Sequence, residues 1–215
     1  MTMTNFADPL LVVLLLVNFF LLGTSRLRAL ITGSAVQGVL LGLLVMSVHG
    51  EVTLQAALIA LGTIALKSVA IPSMLSRAMR DGNIHREVEP VVGFVPSLLL
   101  GGLGTGLSLV FARTLPLAPE HVASLLVPAA LATAFTGFLL LATRRKAITQ
   151  VVGYLALENG VFVMGLTLVE AMPLFVEIGV LLDLVVAIFV MGIIIEHISR
   201  EFSSIDTTRL SSLKE

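Results

Sequence analysis

Glu158 and Asp183 are carboxylates set deep inside long apolar runs, and Lys67 is an amine inside another. An ionised group at the centre of a membrane helix costs about 2.5–3.5 kcal/mol, whereas each Leu, Ile, Val or Phe returns about 0.3–0.6 kcal/mol. Runs this apolar can carry the cost. Groups at such depth face a bundle interior and mark ion or proton paths. Glu158 sits in the run 147–169; Glu177 and Asp183 sit in the run 174–196, after the turn Glu170-Ala171-Met172-Pro173. Lys67 precedes Arg77, at the expected cytoplasmic end of its helix, by ten residues. At 1.5 Å rise per residue that is about 15 Å, close to mid-membrane. Glu158 lies similarly far beyond Arg145 and Lys146, and Asp183 similarly far from the outer turn. A base and two acids at one depth suit lateral proton passage or charge coupling rather than a vertical pore. The plainer alternative is a set of buried ion pairs that only fixes helix packing. Glu177 is nearer the surface, as an exit group or an interfacial carboxylate.

Polar neighbours surround these groups. Tyr154 precedes Glu158 by one turn and shares its face, and Asn159 adjoins it. Both could hydrogen-bond the carboxyl, although ordinary bonding between helices accounts for Asn159 as well. Thr63 shares the face of Lys67, with Ser68 adjacent. Pro72 cannot donate a backbone hydrogen bond, which frees a carbonyl near Ser68 for water or for the Lys67 ammonium.

The elements that must position these residues are membrane helices. The 215 residues are 57% hydrophobic and 13% charged, with a mean hydropathy of +1.05. A soluble domain is typically about 25% charged, so the chain reads as an all-α integral membrane protein. Seven spans are expected: about 9–23, 29–48, 52–76, 90–112, 121–142, 147–169 and 174–196. The polar start Met1–Asp8 lacks the positive region of a secretory signal, so the first span is expected to be retained. Pro90 suits the first turn of the fourth span. All Lys and Arg residues except Lys67 and Arg113 fall in alternate connections or in the tail. That asymmetry predicts an outside N-terminus and a cytoplasmic C-terminus. The expected organisation is a four-helix region 1–112, a three-helix region 120–198 and a cytoplasmic tail 199–215. Arg28, Ile31-Thr32 and Leu66-Lys67 recur as Arg145, Ile148-Thr149 and Leu182-Asp183 some 116 or 117 residues later, a hint of duplication that places Lys67 opposite Asp183.

Composition also excludes chemistry. The chain has no cysteine, which removes disulfides, thiol catalysis and Cys-ligated metals. His49, His85, His121 and His197 fall near loops or helix ends without metal-ligand spacing, so no metal site or cofactor is expected in this chain. A net charge of −1 without a basic stripe argues against a nucleic-acid partner. Gly101-Gly102-Leu103-Gly104-Thr105-Gly106 follows no strand and opens no Walker motif; Gly102 and Gly106, four apart, instead suit close helix packing. A retinal pocket would be expected to have more aromatics than a chain with no Trp and only Tyr154.

The segment Gly153-Tyr154-Leu155-Ala156-Leu157-Glu158-Asn159-Gly160, then Val176-Glu177-Ile178-Gly179 with Asp183, resembles the hydrogenase-4 component E family. Lys67 with its downstream proline, and the tail Ile205-Asp206 to Leu213-Lys214, resemble it too. From Arg144 onward the chain is also similar to the K-type subunit of respiratory complex I and to the C-type subunit of multi-subunit cation/proton antiporters. The resemblance implies a non-catalytic subunit in the membrane arm of a complex I-like nickel–iron hydrogenase or related oxidoreductase. Glu158 would fall on the first carboxylate of the K-type hydrophilic axis and Asp183 roughly on the second, where Asp replaces Glu. Lys67 and Glu177 belong to the hydrogenase-type pattern. Antiporter-like membrane subunits, a hydrogenase-like peripheral arm and the lipid bilayer of a prokaryotic cell membrane would be its partners. The nickel–iron centre and iron–sulfur clusters would reside in other subunits. A cation/proton antiporter without a redox arm is the alternative, and a purely structural subunit a further one.

Overall fold

The computed structural model describes residues 4–48, 54–81, 90–115 and 125–167. The seventh expected span, with Glu177 and Asp183, lies outside the described residues, as does the tail. Among the described residues every regular element is a helix. We number them α1 (Thr4–Gly23), α2 (Leu27–Val48), α3, α4 (Phe94–Ala112), α5 (Leu126–Thr143) and α6 (Ala147–Leu166). Three contiguous pieces make up α3: the α-helix Leu54–Thr63, a π-helical stretch Ile64–Ala70 and the α-helix Ile71–Asp81. Leu27–Ser47 and the whole of α4, α5 and α6 are long and apolar enough to cross a membrane, and Ala7–Gly23 is a shorter apolar helix. Helices suit that setting because each satisfies its backbone polar groups internally.

The bundle is layered. One apolar core joins Leu21 and Leu22, Leu30 and Ile31, Ile71 and Leu75, Leu139 and Leu140, and Val152 and Leu155. A second, at the other end of the same helices, joins Leu11 and Leu14, Leu41 and Leu44, Ala60, Ala129 and Ala130, and Val163. Between these two cores every one of the five helices carries buried polar residues: Asn18, Gln37, Thr63 and Lys67, Thr133, and Glu158 with Asn159. The polar layer therefore lies at mid-height of the bundle, where lipid offers it no hydrogen bonds and only the neighbouring helices can.

Close backbone approach makes those contacts possible. A Cβ on Gly38 of α2 would stand 2.8 Å from the carbonyl carbon of Lys67, so α2 runs directly against the π-helical stretch. A Cβ on Gly160 of α6 would stand 2.7 Å from the carbonyl oxygen of Ala130 and also meet the backbone of Ala134. The α5–α6 pair is accordingly the most extensive helix contact among the described elements.

The fourth helix departs from expectation in two ways. Pro90 does not open it. It pairs instead with Arg144 in an isolated antiparallel bridge, and Val91 N–H donates to the Thr143 carbonyl at 2.8 Å. The helix starts at Phe94, which puts Pro96 in the first turn, where a missing N–H is harmless. Among the described residues Gly102 and Gly106 are not its packing positions: a Cβ on Gly106 would meet none of them within 4 Å, and one on Gly102 only the Phe19 ring edge at 4.0 Å. Gly101 and Gly104 face inward, against Leu22 and the Phe135 ring, while Leu99, Leu103 and Leu107 are exposed. The i, i+3, i+4 set of Ser97, Gly101, Gly104 and Ser108 is the buried stripe of this helix.

Candidate functional site

Lys67 stands at the centre of the π-helical stretch. In that stretch the Ile71 N–H reaches back to the Leu66 carbonyl, five residues rather than four. The next residue in that register is Pro72, which has no N–H to continue it, and α-helical geometry resumes. Pro72 is expected to free a carbonyl near Ser68 for water or for the Lys67 ammonium; the structure adds wider winding upstream and contacts of Lys67 with side chains of α6. Ser68 Oγ donates to the Ala35 carbonyl at 2.8 Å and ties the stretch to α2.

The Lys67 ammonium lies 3.1 Å from Glu158 Oε1. It also donates to Asn159 Oδ1 at 3.1 Å and sits 5.1 Å from the centroid of the Phe162 ring. Lys67 is 5% exposed and Glu158 9% exposed. Glu158 and Phe162 are one turn apart on α6, so one face of that helix supplies the carboxylate and the ring. Breaking such a buried pair by removing one partner typically costs about 3–5 kcal/mol, because the other charge stays behind unpaired.

Asn159 does more than link two helices. Its Nδ2 donates to Gln37 Oε1 at 3.1 Å, Gln37 Nε2 donates to Asn18 Oδ1 at 2.7 Å, and Asn18 Nδ2 donates to Thr133 Oγ1 at 2.8 Å. A string of side chains thus leads from the ion pair through α6, α2 and α1 to α5. Other hydroxyls behave differently: Thr105, Ser108 and Thr143 donate to carbonyls of their own helices, each four residues back in the usual local manner. Inter-helix bonds of this kind in membranes average about 0.6 kcal/mol each. The string is therefore a modest source of stability.

Chemically, the site offers one proton and two places to keep it. At 3.1 Å the Lys67 N–H can pass its proton to Glu158 Oε1, breaking an N–H bond and forming an O–H bond. The amides cannot pass a proton on in this way, since each has donors and acceptors but no titrating group. Among the described residues no group of three or more His, Asp or Glu forms a metal-binding cluster.

The chain is 32% identical over 208 residues, 94% of its length and 93% of the relative's, to the uncharacterized protein Rv0085 of Mycobacterium tuberculosis. The chain belongs to that protein's family. It is also 29% identical over 152 residues to hydrogenase-4 component E of Escherichia coli K12, covering 69% of this chain and 68% of the relative. The proteins of that name from Escherichia coli O157:H7 and Shigella flexneri match equally. No protein-family model and no solved structure matches.

Of the residues singled out from the sequence, Lys67, Glu158 and Asn159 meet directly. Thr63 is buried one turn before Lys67, and Tyr154 is half-buried one turn before Glu158. Asp183 and Glu177 lie outside the described residues. The residues missed are Asn18, Gln37, Thr133 and Phe162. A signal existed for the two amides: each is a lone strong hydrogen-bonding side chain in an apolar run, Leu-Val-Asn18-Phe-Phe and Ala-Val-Gln37-Gly-Val.

Arg144 lies in the expected connection, between α5 and α6, but it is buried there. It is 2% exposed. Its Nη2 donates to the Leu22 carbonyl at 2.7 Å, its Nη1 to the Val92 carbonyl at 3.3 Å, and its guanidinium lies 5.1 Å from the centroid of the Phe94 ring. Burial holds its pKa below the ordinary arginine value. The Pro90–Arg144 bridge explains the burial: it folds the segment before α4 over the α5–α6 turn.

Proposed function

We propose that this chain is a non-catalytic membrane-arm subunit of a complex I-like membrane-bound hydrogenase or related respiratory oxidoreductase. In a prokaryotic cell membrane it couples electron transfer to proton or sodium translocation. The observation that carries this reading is the buried Lys67–Glu158 pair, a lysine nitrogen in contact with a carboxyl in the middle layer of an apolar bundle. The similarity to hydrogenase-4 component E supports the assignment to a hydrogenase-type complex. In this reading seven spans run from an outside N-terminus to a cytoplasmic tail, with 120–198 as the K-like part. Asp183 and Glu177 continue the path from Glu158, and antiporter-like subunits receive it. Nickel–iron and iron–sulfur centres belong to the peripheral arm.

The mechanism follows from the neighbours' charges. A carboxylate beside an ammonium is held ionised, and moving either charge changes the proton affinity of the other. Charge arriving near Glu158 therefore releases or captures the shared proton. Glu158→Gln keeps the shape and removes the acid. In the complex reconstituted into vesicles, this variant is expected to assemble despite the lost stability of a broken buried pair and, per assembled complex, to lose ion translocation about a hundredfold or more. Normal translocation by it would sink the assignment of Glu158. Affinity purification from native membranes, with subunit identification and nickel and iron analysis, tests the complex itself: antiporter-like subunits without metals would identify a cation/proton antiporter instead.

A further inference from the structure

The side-chain string has a direction. Lys67 Nζ donates to Asn159, Asn159 to Gln37, Gln37 to Asn18, and Asn18 to Thr133, so every donor points away from the ammonium. An ammonium has three donors and no lone pair, and Asn159 must therefore present its oxygen to it. Turning Asn159 alone would set N–H against the ammonium and oxygen against Gln37 Oε1. The same conflict arises at each later junction. Asn18, Gln37 and Asn159 are 2%, 0% and 2% exposed, so bulk water cannot repair a mismatched junction. The amides turn together or not at all. At the far end stands a hydroxyl, which both donates and accepts. Thr133 accepts from Asn18 Nδ2 in the observed order and can donate to Asn18 Oδ1 in the reversed one. The string has two self-consistent orders, with every intermediate order leaving a buried mismatch.

We propose that Asn159, Gln37, Asn18 and Thr133 are positioning residues forming a two-state element, ordered as observed when Lys67 is an ammonium and reversed when the Lys67–Glu158 pair has lost its proton. This rests on the proposed function of the pair. The Lys67 proton moves to Glu158, and the carboxyl then gives it to a neighbouring carboxylate or water. A neutral amine and a carboxylate remain. One amine N–H still donates to Glu158, and the new lone pair accepts from Asn159 Nδ2. Gln37, Asn18 and Thr133 follow. The charge state of a pair on α3 and α6 is thereby registered on α1 and α5, and no proton travels along the string.

Solid-state NMR of the full-length protein in phospholipid bilayers, with ¹⁵N-labelled side-chain amides, tests this. In the Lys67→Met/Glu158→Gln chain, which has no ammonium to impose an order, the Asn18 amide signal is expected to shift or double, although Asn18 is two amides beyond Asn159. An unchanged Asn18 signal overturns the proposal. If that chain does not fold, the Thr133 variants decide. In the reconstituted complex Thr133→Val is expected to slow translocation about fivefold to tenfold and Thr133→Ser to restore it. Equal rates for both variants overturn the two-state string. The pair's own role is read separately: lost translocation in Glu158→Gln beside a normal rate in Thr133→Val keeps the proposed function and discards the string. Normal translocation in Glu158→Gln beside a shifted Asn18 signal does the reverse.

Discussion

Two cations are buried among the described residues, and their surroundings differ. Lys67, in the polar layer, faces the Glu158 carboxylate and the Asn159 amide. Arg144, at the end of the bundle, faces the carbonyls of Leu22 and Val92 and the Phe94 ring, and its Nε has no hydrogen-bond partner among the described residues. A carboxylate can accept the proton of its neighbour, whereas a backbone carbonyl cannot. A lysine can lose its proton when its environment changes, whereas an arginine stays charged in proteins. The Lys67 site therefore offers its proton a side-chain acceptor, and the Arg144 site offers none among its hydrogen-bond partners. Burial of charge alone does not set what a site can do with a proton; the partner does.

Substitutions at the two sites should break differently. Lys67→Met leaves Glu158 buried without its ammonium and is expected to cost about 3–5 kcal/mol in denaturant unfolding of the detergent-solubilised protein. Lys67→Met/Glu158→Gln should recover most of that loss, since neither charge remains. Recovery by the double variant would mark a pair, and no recovery would mean that Lys67 matters through other contacts.

Arg144→Met should cost less, about 1–3 kcal/mol, mainly from the buried Leu22 carbonyl that loses its arginine donor, since the part-buried Val92 carbonyl keeps Ser97 Oγ at 3.3 Å. Arg144→Lys should not restore it, because a single ammonium cannot span both carbonyls. Per folded molecule, ion translocation by the complex should be unchanged in either variant. A translocation defect at full stability would give Arg144 a part in the chemistry and erase the contrast with Lys67.

The smaller effects concern the scaffold that brings the partners together. Gly160→Ala would press a Cβ into the backbone of α5, beside the carbonyl of Ala130, and should cost about 1–2 kcal/mol by displacing the helix that carries Glu158 and Asn159. Gly106→Ala meets none of the described residues and should change stability by less than about 0.5 kcal/mol. Equal effects at the two glycines would contradict the packing described for α4 and α6.

Much of the site was legible from sequence because charge is expensive in an apolar run. Lys67 and Glu158 stand out on that ground alone, and their distances from Arg77 and from Arg145–Lys146 already place them at one depth. The six described helices lie close to the expected spans, and four of them are long and apolar enough to cross a membrane, where such stretches have little choice but helix. The ends of α4 were harder. Pro90 is compatible with both a first helical turn and an extended bridge, and only the approach of Arg144 selects the bridge. Gly102–Gly106 and Gly101–Gly104 are similar patterns locally, and the packing of α4 on α1 and α5 decides which pair turns inward.

By itself the sequence determined the material: apolar helices, a few ionisable groups that cannot stand alone among them, and no cysteine for redox chemistry. Tertiary structure decided who meets whom. Lys67 could have paired with any acid at its depth; the widened winding of its helix and the close approach of α2 place it on Glu158 and Asn159. Asn18, Gln37 and Thr133 are unremarkable polar residues until five helices bring them into one layer. Hydrogen-bond complementarity is a property of pairs, and no local pattern along a chain specifies which distant residue will complete a pair.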